Sequence, residues 1–151
     1  MLLVVDDSAT VRSAARRLLC AMGAVVLEAG TVSEALLVTR QERPDALLLD
    51  LGLPDGDGLD VCRAVRADPD PVIARAPVVV LTGSDPLLHH VRALESGADD
   101  FVEKPFAPRI LAARIGNLLA RARAERDAAA LAAELRRYVS SAVVRQVREH
   151  R

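Results

Sequence analysis

Apolar residues fall into five short runs, at 2–5, 25–27, 45–50, 78–82 and, more weakly, 101–103. Each is strand-length and too short for a membrane span. Longer stretches between the runs repeat their apolar positions at helical spacing. Ser8 is placed to cap a helix over 9–22, with Val11, Ala15, Leu18, Leu19 and Met22 on one face and Gly23 as its stop. Thr31 and Glu34 form a capping box for a helix to about 42, closed by Pro44. Asp57 can cap a helix to about 67, followed by a loop at 68–71. Asp85-Pro86 opens a helix ending at Gly97, and Pro108 starts a last helix that runs on into the tail. Pro77 stands at the head of its strand, where proline is tolerated. Five strands alternating with five helices predict right-handed crossovers and a doubly wound α/β fold, a parallel sheet covered on both faces. The nearly continuous apolar strands fit such a doubly buried sheet.

The chain has 151 residues, of which 51% are hydrophobic and 27% charged, as in a globular domain with a modest extension. Aromatics are 2%, too few rings for a base-stacking platform, which makes a nucleic-acid partner unexpected. No run reaches membrane-spanning length, and the start lacks the basic head of a signal peptide, so the expected location is cytoplasmic. Cys20 and Cys62 are read as small buried hydrophobes. Charge divides the chain. Residues 1–119 carry 12 Lys/Arg against 17 Asp/Glu, whereas 120–151 carry 8 against 4. This shift suggests an acidic domain at 1–120 and a helical segment at 121–151.

Candidate chemistry gathers where the strands end. A parallel sheet brings all its carboxyl ends to one edge, where such folds place their sites. That edge collects Asp6 and Asp7, Asp50, Thr82 and Lys104. Three carboxylates at one edge repel unless paired with a cation, and an all-oxygen set suits a hard divalent ion such as Mg²⁺. Lys104 adds a positive charge suited to a phosphoryl oxygen, and Thr82 a hydroxyl donor beside Gly83. A carboxylate nucleophile, a metal and a cationic clamp make a phosphoryl-transfer set. Asp55 and Asp57 read as loop and cap residues, and His89 and His90 as surface residues without a partner motif.

Four motifs in order over residues 2 to about 120 carry a resemblance. They are Asp6-Asp7; Asp50 with Leu53-Pro54-Asp55-Gly56-Asp57-Gly58; Leu81-Thr82-Gly83; and the run from Gly97-Ala98-Asp99-Asp100 to Lys104-Pro105-Phe106. Together they resemble the response-regulator receiver domain of two-component signalling. The resemblance implies a flavodoxin-like five-stranded sheet of order 2-1-3-4-5. It implies that Asp50 accepts a phosphoryl group from a histidine kinase or phosphotransfer protein. Asp6, Asp7, Asp50 and the Gly52 carbonyl would hold Mg²⁺, and Thr82 and Lys104 would contact the phosphoryl oxygens. Thr82 and Phe101 would form the switch to an output surface. Such a chain is a signalling module rather than an enzyme. Gly52 and Ser84 are small at positions that tune phosphoryl lifetime in the family, and Phe101 lacks the hydroxyl of the commoner tyrosine.

Two rivals stand beside this reading. One is a phosphorylation-independent docking module on the same fold. The other is an aspartyl-nucleophile phosphatase, for which a second acid beside Asp50 and a covering cap are missing from the sequence. In the tail, Ala124, Ala128, Leu131, Leu135, Tyr138 and Ala142 follow a short, alanine-weak heptad seam. It reads either as an extended last helix packing on its own domain or fraying in solvent, or, the expectation favoured here, as a parallel coiled coil joining two receivers in a homodimer. Ser140-Ser141 suggests a helix break there. Residues 135–144 are weakly similar to the segment preceding class III nucleotide cyclase domains, which would place an output domain beyond this chain.

Overall fold

A computed structural model describes residues 1–83 and 86–149, with the side chains of Pro86, Leu88, His89 and His90 excluded. The expectations for Ser84, the Asp85 cap, His89 and His90 therefore lie outside the described residues. The elements in order are β1 (Leu2–Val5), α1 (Ala9–Ala21), β2 (Val26–Ala29), α2 (Val32–Glu42), β3 (Ala46–Asp50), β4 (Gly52–Leu53), β5 (Gly56–Asp57), α3 (Gly58–Arg66), α4 (Pro71–Ala74), β6 (Val78–Thr82), α5 (Pro86–Glu95), β7 (Asp100–Glu103) and α6 (Pro108–Glu149). The main sheet is parallel, in the order β2-β1-β3-β6-β7, and β4 and β5 form a separate antiparallel ribbon. Leaving out that ribbon, this is the predicted 2-1-3-4-5 order of a doubly wound α/β fold.

Side-chain alternation assigns the strands to two cores. Leu3, Val5, Leu47, Leu49, Val78 and Val80 face the helices α2, α3 and α5, meeting Ala35, Leu59, Cys62, Val65 and Ala93. Leu2, Val4, Leu48, Val79 and Leu81 face α1 and α6, meeting Ala15, Leu19, Leu111, Ile115 and Leu118. Every residue of β3 and β6 is buried, whereas the edge strands β2 and β7 are only partly so. Each fully buried Leu or Val contributes about 1.5–3 kcal/mol of transfer free energy, so the central strands dominate the stability of the sheet.

The caps follow the predicted chemistry. Ser8, Thr31 and Asp57 accept hydrogen bonds from the amides of Val11, Glu34 and Leu59 respectively. The Glu34 carboxylate reaches back to the Gly30 amide rather than to the amide of Thr31. Several expectations are corrected. Met22 is the C-cap of α1 and 44% exposed, not part of its buried face. Val25 stands just before β2 and contributes its carbonyl to the Leu2 amide at 2.8 Å while its side chain points outward. The expected loop at 68–71 ends in a short helix, because Asp70 caps Val72 and Pro71 occupies the first turn. Cys20 is exposed, since α1 turns Ala15 and Leu19 inward; Cys62 is buried as expected.

Two compact units divide the chain at 119/120. In the second unit α6 continues unbroken through Ser140 and Ser141 to Glu149, which corrects the expected break. The Ser141 hydroxyl donates to the Arg137 carbonyl four residues back, so the serine is accommodated within the helix. Leu131, Leu135 and Tyr138 of the seam are exposed, as are Val139 and Val143 beside them. Among the described residues, no helix is long and apolar enough to cross a membrane.

Candidate functional site at the sheet's carboxyl edge

Strands β1, β3 and β6 end side by side, and each delivers its polar residue to the same place. Asp6 follows β1 and is fully buried, while its neighbour Asp7 is exposed. Asp50 is the last residue of β3, buried at 8% exposure. One carboxylate oxygen from each of Asp6, Asp7 and Asp50 lies within 4.8 Å of the others. Three hard anionic ligands at this separation form a set that could hold a divalent cation. Gly52 lies two residues beyond Asp50, exposed at the start of the ribbon.

Lys104 closes the site from the end of β7. Its ammonium donates to Asp6 Oδ2 at 2.6 Å, 98 residues away in sequence, and to Asp50 Oδ1 at 3.0 Å. Its backbone amide is fixed by a 2.6 Å hydrogen bond to the Thr82 carbonyl, and the bond to Pro105 is cis. The other Asp6 oxygen accepts the Ser8 amide at 2.9 Å, which pins the acidic turn. Thr82 ends β6 and is buried, and its Oγ1 has no hydrogen-bond partner among the described residues. A buried hydroxyl without a partner carries a desolvation cost of about 1–3 kcal/mol, which an incoming acceptor oxygen would relieve. Phe101 sits in β7 beside Val80, partly buried against the core.

Electrostatics at the site pull in opposite directions. Burial pushes the Asp50 carboxyl above its usual range; the Lys104 hydrogen bond opposes this, and the nearby Asp6 and Asp7 charges add to the rise. Burial lowers the Lys104 ammonium, but its hydrogen bonds to Asp6 and Asp50 outweigh that and its pKa is raised. Lys104 is thus held as a cation, and it only partly offsets the carboxylates around it.

The turn after Asp50 is held tightly. The Gly58 amide donates to the Leu51 carbonyl at 2.9 Å, and its α-carbon lies against the Asp50 backbone. Asp55 reaches from the ribbon to α2, accepting from the Val32 amide at 2.7 Å and from the Ser33 amide and hydroxyl. Those bonds hold the Asp55 carboxyl below its usual range. Asp57 caps α3 and also pairs with Arg92 of α5. The sequence reading placed Asp55 and Asp57 as loop and cap residues but missed these two long-range partners. The acid-rich turn was the visible signal; which helix each acid reaches depends on the tertiary fold.

A family model described as the response regulator receiver domain matches residues 2–116. The chain belongs to the response regulator receiver family. A response regulator MprA of Mycobacterium ulcerans is 44% identical over 129 residues, covering 85% of this chain. One from Mycobacterium avium is 41% identical over 146 residues, covering 97% of it. The chain spans 54% of the length of the first relative and 62% of the second. Among solved structures, a putative response regulator from Chloroflexus aurantiacus superposes with a TM-score of 0.75 at 36% identity, over 79% of this chain and 96% of that one. The receiver domain of NtrX from Brucella abortus gives 0.72 at 29% identity, over 80% of this chain and 98% of its own. The match ends at residue 116, just short of the boundary between the two compact units.

Proposed function

We propose that this receiver is a phosphoacceptor in which Asp50 takes a phosphoryl group from the phosphohistidine of a histidine kinase or phosphotransfer protein. The observation that carries this reading is the Asp6–Asp7–Asp50 cluster with Lys104 resting on Asp50. In the transfer, an Asp50 carboxylate oxygen attacks phosphorus, the O–P bond forms as the P–N bond breaks, and the imidazole leaves with its electron pair. Asp6, Asp7, Asp50 and the Gly52 carbonyl would hold Mg²⁺, and the donor set fits it: oxygen ligands, and net negative charge left after Lys104 is counted. Bound there, Mg²⁺ would neutralise charge developing on the phosphoryl oxygens.

The residues of the chain divide the remaining work. Lys104 already points its ammonium at Asp50 and can pass one hydrogen bond to a phosphoryl oxygen. Thr82 supplies the second donor, its hydroxyl having no partner among the described residues. Engagement of Thr82 and repacking of Phe101 then form the switch, with packing alone at Phe101 because the ring carries no hydroxyl. For the second unit we propose homodimerisation as a parallel coiled coil through 124–142, since its seam residues are exposed along an unbroken helix. Domain limits of 1–120 and 121–151 go with this division of labour.

Incubation with a small acyl-phosphate donor, followed by intact mass measurement, tests the acceptor role. One phosphoryl group is expected in Mg²⁺ and none in chelator, with loss of the gain in Asp50→Asn. Uptake at an unchanged rate by Asp50→Asn would refute it. For the tail, light scattering should give a dimer mass for the full chain and a monomer for 1–120; equal monomer masses at high concentration would refute pairing.

A further inference from the structure

The ribbon beside Asp50 connects the site to α5 through one ion pair. Gly52 and Asp57 face each other as ladder partners in the ribbon. Asp57 divides its carboxylate: Oδ1 accepts the Leu59 amide at 2.9 Å, and Oδ2 accepts from Arg92 Nη2. Arg92 is anchored on α5, where Ala93 is buried in the core and the Ser96 amide and hydroxyl both bond to the Arg92 carbonyl. On the other side of Asp57, Gly58 is locked to Leu51 and lies against the Asp50 backbone. Gly52, Asp57 and Arg92 therefore form a short physical chain from the cation site to α5.

We infer that Arg92 is a positioning residue for the divalent-cation site: by gripping Asp57 it holds the ribbon strand opposite Gly52, and so ties the pose of the Gly52 carbonyl to the placement of α5. The inference rests on the reading of Gly52 as a metal ligand. Linkage makes it reciprocal. If α5 held in place strengthens cation binding, bound cation strengthens the hold on α5 by the same factor. This route runs beneath the turn after Asp50 and does not pass through Thr82 or Phe101.

At Arg92 charge and positioning predict opposite signs, whereas at Asp57 both predict weaker binding. Arg92 is a cation near a cation site, so its removal should tighten Mg²⁺ binding if only Coulomb repulsion mattered. If it positions the ribbon, removal should weaken binding. The side chains of Arg92 and Asp57 are 42% and 32% exposed. A pair so open to solvent limits the effect to about threefold to fivefold in Kd.

The test is Mg²⁺ titration by calorimetry on the full chain, comparing wild type, Arg92→Ala, Asp57→Asn and the double variant. Asn caps helices as well as Asp, so Asp57→Asn removes the ion pair and keeps the cap. Each single variant is expected to bind Mg²⁺ about threefold to fivefold more weakly, and the double variant no more weakly than the singles. Unchanged or tighter binding by Arg92→Ala would overturn the inference while leaving the metal reading intact. So would losses that multiply in the double variant. Absence of Mg²⁺ binding by wild type would overturn the metal reading itself, and this inference with it.

Discussion

Gly58→Ala should destabilise the turn beneath Asp50, because no other glycine of the chain has backbone so close to where its Cβ would stand. A Cβ at residue 58 would stand 1.9 Å from the Asp50 carbonyl oxygen, 2.9 Å from its carbon and 3.0 Å from the Leu51 α-carbon. All three are backbone atoms, so no side chain can swing aside. Ordinary contact begins at 3.4 Å; β3 and the start of α3 must therefore separate by about 1.5 Å, more than a close-packed core absorbs without strain. Overpacking of this kind costs about 1–3 kcal/mol. The 2.9 Å hydrogen bond from the Gly58 amide to Leu51 would be lost or stretched, adding about 1 kcal/mol. The total is about 2–4 kcal/mol. With an unfolding entropy of about 2.1 cal/mol/K per residue over the 119-residue first unit, that lowers Tm by roughly 8–16 °C. Gly116→Ala is the matched control. Its Cβ would meet nothing within 4 Å, and it lies inside α6, so it should stabilise by about 0.5–1 kcal/mol. Thermal unfolding followed by circular dichroism measures both. A Gly58→Ala Tm within about 2 °C of wild type would refute the claim that β3 and α3 touch without slack at this point.

Other predictions follow from charge and burial. In chelator, Asp50→Asn should be more stable than wild type at pH 7. The folded Asp50 pKa is raised, so the wild-type contribution is fully present only below its ordinary 3.8 and is lost as pH rises through the folded value; the advantage of Asn should therefore shrink in acid, and a constant or reversed difference in urea midpoints would contradict this. Asp55→Asn should behave oppositely. The folded Asp55 pKa is depressed, so its stabilisation is present above 3.8 and lost as pH falls through the lowered value; the variant should be less stable at neutral pH, with the gap closing in acid. A thiol reagent should label one cysteine in the native chain and two in denaturant, because Cys20 is exposed while Cys62 is buried, with burial raising its thiol pKa and its Sγ set against the Ser96 carbonyl.

The fold was legible because its signals are local and repeated. Five apolar runs, with Ser8, Thr31 and Asp57 as caps, already give the alternation, and a parallel sheet fixes which ends converge. The clustering of Asp6, Asp7, Asp50 and Lys104 could be placed for that reason alone: each follows or ends a strand. What escaped was tertiary or energetically marginal. The two-residue strands of the ribbon are too short to show a period. The cap at Asp70 was hidden in a proline-rich stretch that reads equally well as loop. Cys20 was misplaced because its helix face is decided by what α1 packs against, not by the residue's hydrophobicity. Ser140 and Ser141 suggested a break, yet a hydroxyl can bond back to its own helix and leave it continuous. The Arg92–Asp57 pair joins residues 35 apart, and no spacing rule links them.

The residue that acquires the phosphoryl group can be marked covalently and located. After incubation with an acyl-phosphate donor and Mg²⁺, borohydride reduction converts an aspartyl phosphate to homoserine, which marks the residue covalently for peptide mass mapping. Homoserine at position 50, dependent on Mg²⁺ and absent without donor, is the predicted result. Homoserine at another carboxylate, or a phosphoryl mass gain with none at Asp50, would contradict it.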